Sequence, residues 1–310
     1  MNMMAVWFDR LLLTLALLAA GPAAVQAQAP APLPFTLTMG IYLPVVRDVP
    51  RKDVEVSLNF WLLELAKDTK VSFNPVRFYT SVDEMKRDFD SELFNFLVAP
   101  AISVARLFRP EDLADGFTGL RQVPDDLLLL VRRDAGIRTP ADLPGKRIAL
   151  LQDDELSDLY LDTLMLKAGK RAGASEFKSV AREDRSAQIV FRLFFGRDDA
   201  ALLYRNAYET ALALNPQIAS KVQSLEDFSF KSRVAYTGLF SRRVAPEQRE
   251  RFVNAALSVD KTARGQQVLA IYHADRVGRI GVADLGPYQQ LLEEYRTVKA
   301  GVRPAKRVAP

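Results

Sequence analysis

Short β-rich runs and amphipathic helical stretches alternate along most of this chain. FTLTMGIYL, from Phe35, alternates apolar and polar residues as a half-buried strand does. After the loop PVVRDVPRKD, Asp53 caps VEVSLNFWLLELAKDTK, in which Val54, Leu58, Trp61, Leu62 and Leu65 recur at helical spacing. VSFNPVRFY reads as a second strand with Pro75 at an edge or bulge, TSVDEMKRDFDS as a helix, and LFNFLVAP as a buried third strand. A β-α-β-α-β order builds an open α/β sheet, because parallel neighbours need a crossover between them.

The pattern then repeats. DDLLLLVRRD, PGKRIALLQ, EFKSVARED and DDAALLYRN read as strands, and LSDLYLDTLMLKAGKRAG, RSAQIVFRLFFG and Ala207 to Leu214 as helices. SRVAYTGLFSRR returns as a strand, and the remainder reads as helical. From Ser81 to Val98 the order is loop, helix with Phe89 inward, strand; from Ser186 to Leu203 it recurs with Phe194 at the same offset. Two equivalent halves predict two lobes of similar build, with ligands held beyond the carboxyl ends of the strands.

At the N-terminus, Arg10 precedes an apolar run from Leu11 to Ala20, and Val25 and Ala27 are small residues before Gln28. The run is shorter than the roughly 20 residues a bilayer span needs, so residues 1–27 are expected to be a secretory signal peptide and 28–34 a linker. An exported chain without cysteine must rely on its core, and 310 residues with 49% hydrophobic composition are ample for one. Thiol catalysis and cysteine-bound metals are excluded, and His273, the only histidine, leaves no histidine cluster for zinc. No metal, cofactor or catalytic residue is therefore expected. Net charge is +4, with much of the excess in a tail where Arg296, Lys299, Arg303, Lys306 and Arg307 lie among Pro, Gly and Ala. Residues 297–310 read as disordered rather than as a basic face for nucleic acid.

One stretch needs its own explanation. In LLQDDELSDLY the apolar run ends at Asp153, Asp154 and Glu155, at what reads as a helix start. Such a position suits a bound anion, since its backbone N–H groups are unpaired and the helix dipole is positive there. Carboxylates at that place serve equally well as caps, worth roughly 0.5–2 kcal/mol. They also repel an incoming anion, by about 4 kcal/mol for unit charges 4 Å apart at an effective dielectric of 20.

DLLLLVRRDAGIRTPADLPGKRIALL, the helix ending LMLKAG and the later FFGRDDAALLYRNAYE together resemble the phosphate/phosphite/phosphonate-type solute-binding proteins of ABC transporters. MGIYLP, YTSVDEM and FLVAPAISVARLF agree with the first half of that family. The resemblance runs from about Phe35 to Tyr295. It implies a type II periplasmic-binding fold: two α/β lobes, each a mixed sheet flanked by helices, joined by two hinge strands at DLLLLV and VAYTGLF. The expected boundaries are 35–125 with 228–296 for lobe I and 126–227 for lobe II. Carried over residue by residue, the ligand site would comprise Tyr42, Tyr79, Thr80, Ser81, Pro100 and Ser103 from lobe I. Lobe II would supply Asp153, Asp154, Ser157, Arg185, Ser186, Tyr204 and Arg205. Where the family has a hydroxyl-rich anion clamp, only Ser157 keeps a hydroxyl.

The resemblance implies a monomeric periplasmic protein that hands a small polar ligand to an inner-membrane ABC permease. The acidic turn leaves open a phosphonate-like anion, an amine-bearing or zwitterionic ligand, or a lobe that no longer binds solute. The alternative function is a sensory or interaction module for a membrane signalling protein. Catalysis by the acidic turn is set aside, because its three carboxylates adjoin on one turn with no nucleophile or metal ligand facing them.

Overall fold

The computed structural model describes residues 36–43, 51–69, 72–271 and 274–301, and resolves most strand-forming runs into two five-stranded sheets with the same pattern of parallel and antiparallel neighbours. In chain order, the first part contains β1 (Thr36–Leu37), β2 (Met39–Tyr42), α1 (Arg51–Thr69), β3 (Ser72–Phe73), β4 (Arg77–Tyr79) and α2 (Val82–Asp90). Then come β5 (Phe96–Pro100), α3 (Ala101–Leu107), β6 (Leu113–Ala114) and β7 (Gly116–Leu120). The middle holds β8 (Leu127–Arg132), β9 (Arg147–Leu151), α4 (Glu155–Lys167), β10 (Ser179–Glu183), α5 (Ser186–Phe194), β11 (Ala200–Tyr204), α6 (Arg205–Leu214), α7 (Ile218–Lys221) and β12 (Val222–Ser224). The chain returns through β13 (Tyr236–Ser241), α8 (Pro246–Ala256), α9 (Ala263–Ile271), β14 (Arg276–Ile280) and α10 (Gly286–Gly301).

One sheet runs β4-β2-β5-β13-β6 and the other β10-β9-β11-β8-β12. In both, the first three strands are parallel and the last two join antiparallel. This is the two-lobed α/β fold implied by the sequence. The repeat is real but lies one residue away from the register read by eye. Ser81 and Arg185 are the two equivalent N-caps, so Phe89 corresponds to Leu193 and Pro100 to Tyr204. Phe89 and Leu193 are both fully buried, whereas Phe194 is only half-buried and lies under the Lys221 ammonium.

Several elements depart from expectation. Asn74 and Pro75 split VSFNPVRFY into β3 and β4, because proline offers no N–H to a ladder. The hinge strands do not run through both lobes: β8 belongs to the second sheet and β13 to the first. The crossings precede them, and there Leu127 and Phe230 exchange two backbone hydrogen bonds of 2.9 and 2.8 Å. GFTGL and RVGRI, which the sequence pattern did not mark as strands, pair as β7 and β14. Helix α10 runs on to Gly301, past the expected start of the disordered tail. The expected signal peptide and linker, residues 302–310, Pro44 and His273 lie outside the described residues.

Leu128, Leu130, Leu151, Ile189 and Leu203 form a core on one face of the second sheet. A larger cluster runs unbroken from Phe89 and Leu97 through Leu129 and Leu150 to Leu164 and Leu291. It crosses from one sheet to the other because α10 packs against both α3 and α4. The carboxyl ends of β5, β9 and β11 open onto the starts of α3, α4 and α6, and these starts hold the polar groups between the lobes.

Candidate functional site at the acidic turn

The turn between β9 and α4 has backbone strain at one residue. Asp153 adopts φ +52°, a left-handed conformation that Asp tolerates better than most residues, and its exposed carboxylate accepts from Gln152 Nε2 at 2.8 Å. Asp154 is the N-cap by position, yet its side chain makes no capping bond to the helix backbone. The buried carboxylate instead accepts from Ser157 Oγ and, at 3.1 Å, from the Tyr204 hydroxyl at the end of β11. Ordinary capping therefore does not explain Asp154.

Glu155, the first residue of α4, reaches the other lobe. Its Oε2 accepts from Ser103 Oγ at 2.7 Å, and its Oε1 accepts from Arg106 Nε. Ser103 is buried on α3 and Arg106 sits in that helix's last turn. A second tie lies at the far end of α4, where Lys167 Nζ meets Glu294 Oε1 on α10 at 2.6 Å. Among the expected site residues, Asp154, Ser157, Tyr204 and Ser103 thus converge on one helical turn. Tyr42 is half-buried and packs against the larger hydrophobic cluster, and Pro100 forms the N-cap of α3.

The others serve elsewhere. Tyr79 is buried in its own lobe, its ring tilted against Phe94 and its hydroxyl donating to Asp88 Oδ2 at 2.8 Å; burial first, and Asp88 second, push its pKa up. Ser81 caps α2, accepting from the Glu84 N–H at 3.3 Å, and Thr80 beside it is exposed. Arg185 is exposed at the N-cap of α5, with Ser186 half-buried next to it. Among the described residues, none of these five makes a side-chain hydrogen bond to the acidic turn. Arg205 is committed to carboxylates: its Nε meets Asp126 Oδ2 at 3.1 Å and its Nη2 meets Glu226 Oε2 at 2.6 Å. Asp126 also accepts from the Ser232 N–H at 3.1 Å and Lys231 Nζ at 3.2 Å, so Arg205 fastens lobe II to both crossings.

Two residues absent from the expected site belong beside it. Arg106 was legible only as an i, i+3 partner of Ser103 in ISVARL, and nothing in the sequence ties it to Glu155. Tyr288 arrives from α10, fully buried, with its hydroxyl bonded to Val234 O; burial pushes its pKa up, and the nearby Asp125 and Asp154 carboxylates add to that. At the turn itself, the Ser157, Tyr204 and Ser103 hydroxyls all donate to carboxylates. The arrangement contains no group of three or more metal-ligating side chains among the described residues.

The model of a family described as the periplasmic phosphonate substrate-binding protein of ABC transporters matches residues 70–285. The chain belongs to this family. It is a solute-binding protein. PhnD1 of Prochlorococcus marinus (MIT 9301), solved in complex with methylphosphonate, has the same fold at TM-score 0.59 and 16% identity, over 85% of this chain and 98% of that one. A binding-protein component of a Pseudomonas aeruginosa ABC phosphonate transporter matches at TM-score 0.57 and 12% identity, covering 86% of this chain and 89% of that one. The periplasmic aliphatic sulphonate-binding protein SsuA of Escherichia coli matches at TM-score 0.52 and 16% identity, over 87% and 94%. No curated protein sequence matches the chain. The family places the binding protein in the periplasm with a small-molecule ligand and an ABC permease as its partners. No helix among the described residues is long and apolar enough to cross a membrane.

Proposed function

We propose that this binding protein captures a small polar solute carrying an amino group, an amine-bearing phosphonate or an amino acid, between its lobes. It then delivers the solute to an inner-membrane permease. One observation carries the reading: the buried Asp154 carboxylate is held by two neutral donors, Ser157 and Tyr204. Both of these hydroxyls are neutral, and a carboxylate has about four acceptor sites in all, which suits it to accept from a ligand ammonium as well. An ammonium group is favoured there and a phosphate dianion is repelled. The acidic end of such a solute would be held by hydroxyls, with Thr80, Ser81 and Ser186 as donors, since the Ser103 hydrogen is given to Glu155. On this reading the chain acts as a monomer without catalysis. It is exported by residues 1–27 and divides into lobe I (35–125 with 228–296) and lobe II (126–227).

The test is a thermal-shift comparison of residues 28–310 with 2-aminoethylphosphonate, methylphosphonate and phosphate. A ligand at 100 times its Kd adds about 2.7 kcal/mol, a shift of a few degrees for a domain of this size. The amine-bearing compound is expected to stabilise the protein, and Asp154→Asn to remove that effect. A shift with phosphate that persists in Asp154→Asn would reassign the carboxylate to a structural role.

A further inference from the structure

We propose that the protein carries a second small-molecule site, separate from the acidic turn, that takes a compact aromatic molecule bearing an amino group. A cavity of about 650 Å³ lies among the C-terminal half of α4, the return crossing at Asp227–Lys231 and helix α10. That volume is within the range of about 300–1,000 Å³ usual for ligand sites. Its floor is apolar and aromatic: Phe230, Leu164 and Leu291 are buried, and the Tyr160 and Phe230 rings meet edge to face at 5.6 Å. Such a floor offers a flat ring the offset or edge contacts that aromatic groups prefer.

Polar groups line the same cavity. The Tyr160 hydroxyl makes no hydrogen bond to another described residue, and burial pushes its pKa up to about 12, so it remains a neutral donor. The Asp227 carboxylate and the Gln290 amide also line the cavity without a described side-chain partner. The Lys167–Glu294 pair closes one side. A ring against Phe230, an acceptor facing Tyr160 and an ammonium facing Asp227 would satisfy all of these groups together. Because the walls come from lobe II, a crossing and α10, an occupant would also brace the lobes against opening.

L-Phenylalaninamide carries the required ring, carbonyl acceptor and ammonium, and is the probe for calorimetric titration of residues 28–310. Saturable binding is expected at millimolar concentration. Tyr160→Phe should weaken it about fivefold, the loss of one net hydrogen bond. Gln290→Trp, at an exposed position on the rim, should abolish it while leaving the melting temperature unchanged. Asp154→Asn should leave it intact, which separates this site from the acidic turn. Failure of the probe to bind overturns the proposal. Binding that survives Gln290→Trp, or that disappears in Asp154→Asn, overturns it equally.

Discussion

Glu155→Gln is expected to loosen the two lobes. The side chain accepts one hydrogen bond from Ser103 and one from Arg106, and both partners belong to α3 of the opposite lobe. Glutamine preserves the shape and an acceptor for Ser103 but removes the charge that holds Arg106. Exposed ion pairs contribute about 0.2–1 kcal/mol, whereas hydrogen bonds to charged groups contribute about 1.5–3 kcal/mol when shielded. The pair lies between these limits, with the Arg106 and Glu155 side chains 39% and 31% exposed, so about 1 kcal/mol is a reasonable loss. That corresponds to roughly a fivefold shift of the closed-to-open ratio. The absence of cysteine makes the measurement direct, because single thiols can be introduced without competition. Spin labels at the exposed positions Arg87 and Ala187, one on each lobe, should report a longer-distance population about fivefold larger in Glu155→Gln. Added salt should reproduce part of the shift in the unmutated protein and little of it in the variant. Identical distance distributions in both proteins at every salt concentration would refute the latch.

Two further outcomes are expected. Arg205, helped by Lys231, holds the Glu226 carboxyl at about 2 against an ordinary value of 4.5. A depressed carboxyl stabilises the fold above its unfolded pKa and loses that contribution as pH falls through the folded one. Urea midpoints should therefore drop between about pH 4.5 and pH 2, with a shallower drop in Glu226→Gln; equal slopes would show that the pair contributes nothing. Gly238→Ala should destabilise by about 1–3 kcal/mol or more, because a Cβ there would lie 2.2 Å from Phe117 O and 2.8 Å from Phe96 Cζ. An unchanged urea midpoint would mean that β7 and β13 can move apart at no cost.

Period and punctuation carried most of the architecture. Alternating runs such as Met39–Tyr42 and continuous ones such as Leu127–Arg132 became central strands, because a strand covered on both faces has no polar side to disguise it. Gly145, with φ of +74°, sits just before β9, and Gly169, with φ of +70°, just after α4. The internal repeat was visible as well, though by one residue out of register, since Phe194 is the more conspicuous side chain and Leu193 the buried one. The short β7 and β14 escaped notice because GFTGL and RVGRI are held by pairing with each other, a partnership across more than a hundred residues that no local pattern encodes.

The site divides in the same way. Local sequence was enough to show that a helix starts at the acidic turn and that three adjacent carboxylates stand there. It did not show that Asp154 turns away from the helix backbone toward Tyr204, that Glu155 crosses to Ser103 and Arg106, or that Arg205 is spent on Asp126 and Glu226. A residue's type fixes what it can donate or accept, but its partners lie at distances in sequence that only the packing of two sheets and α10 brings to contact. The sequence by itself determined most of the elements, the two-lobed build and the charge of the turn; tertiary structure alone decided which hydroxyls and cations answer that charge.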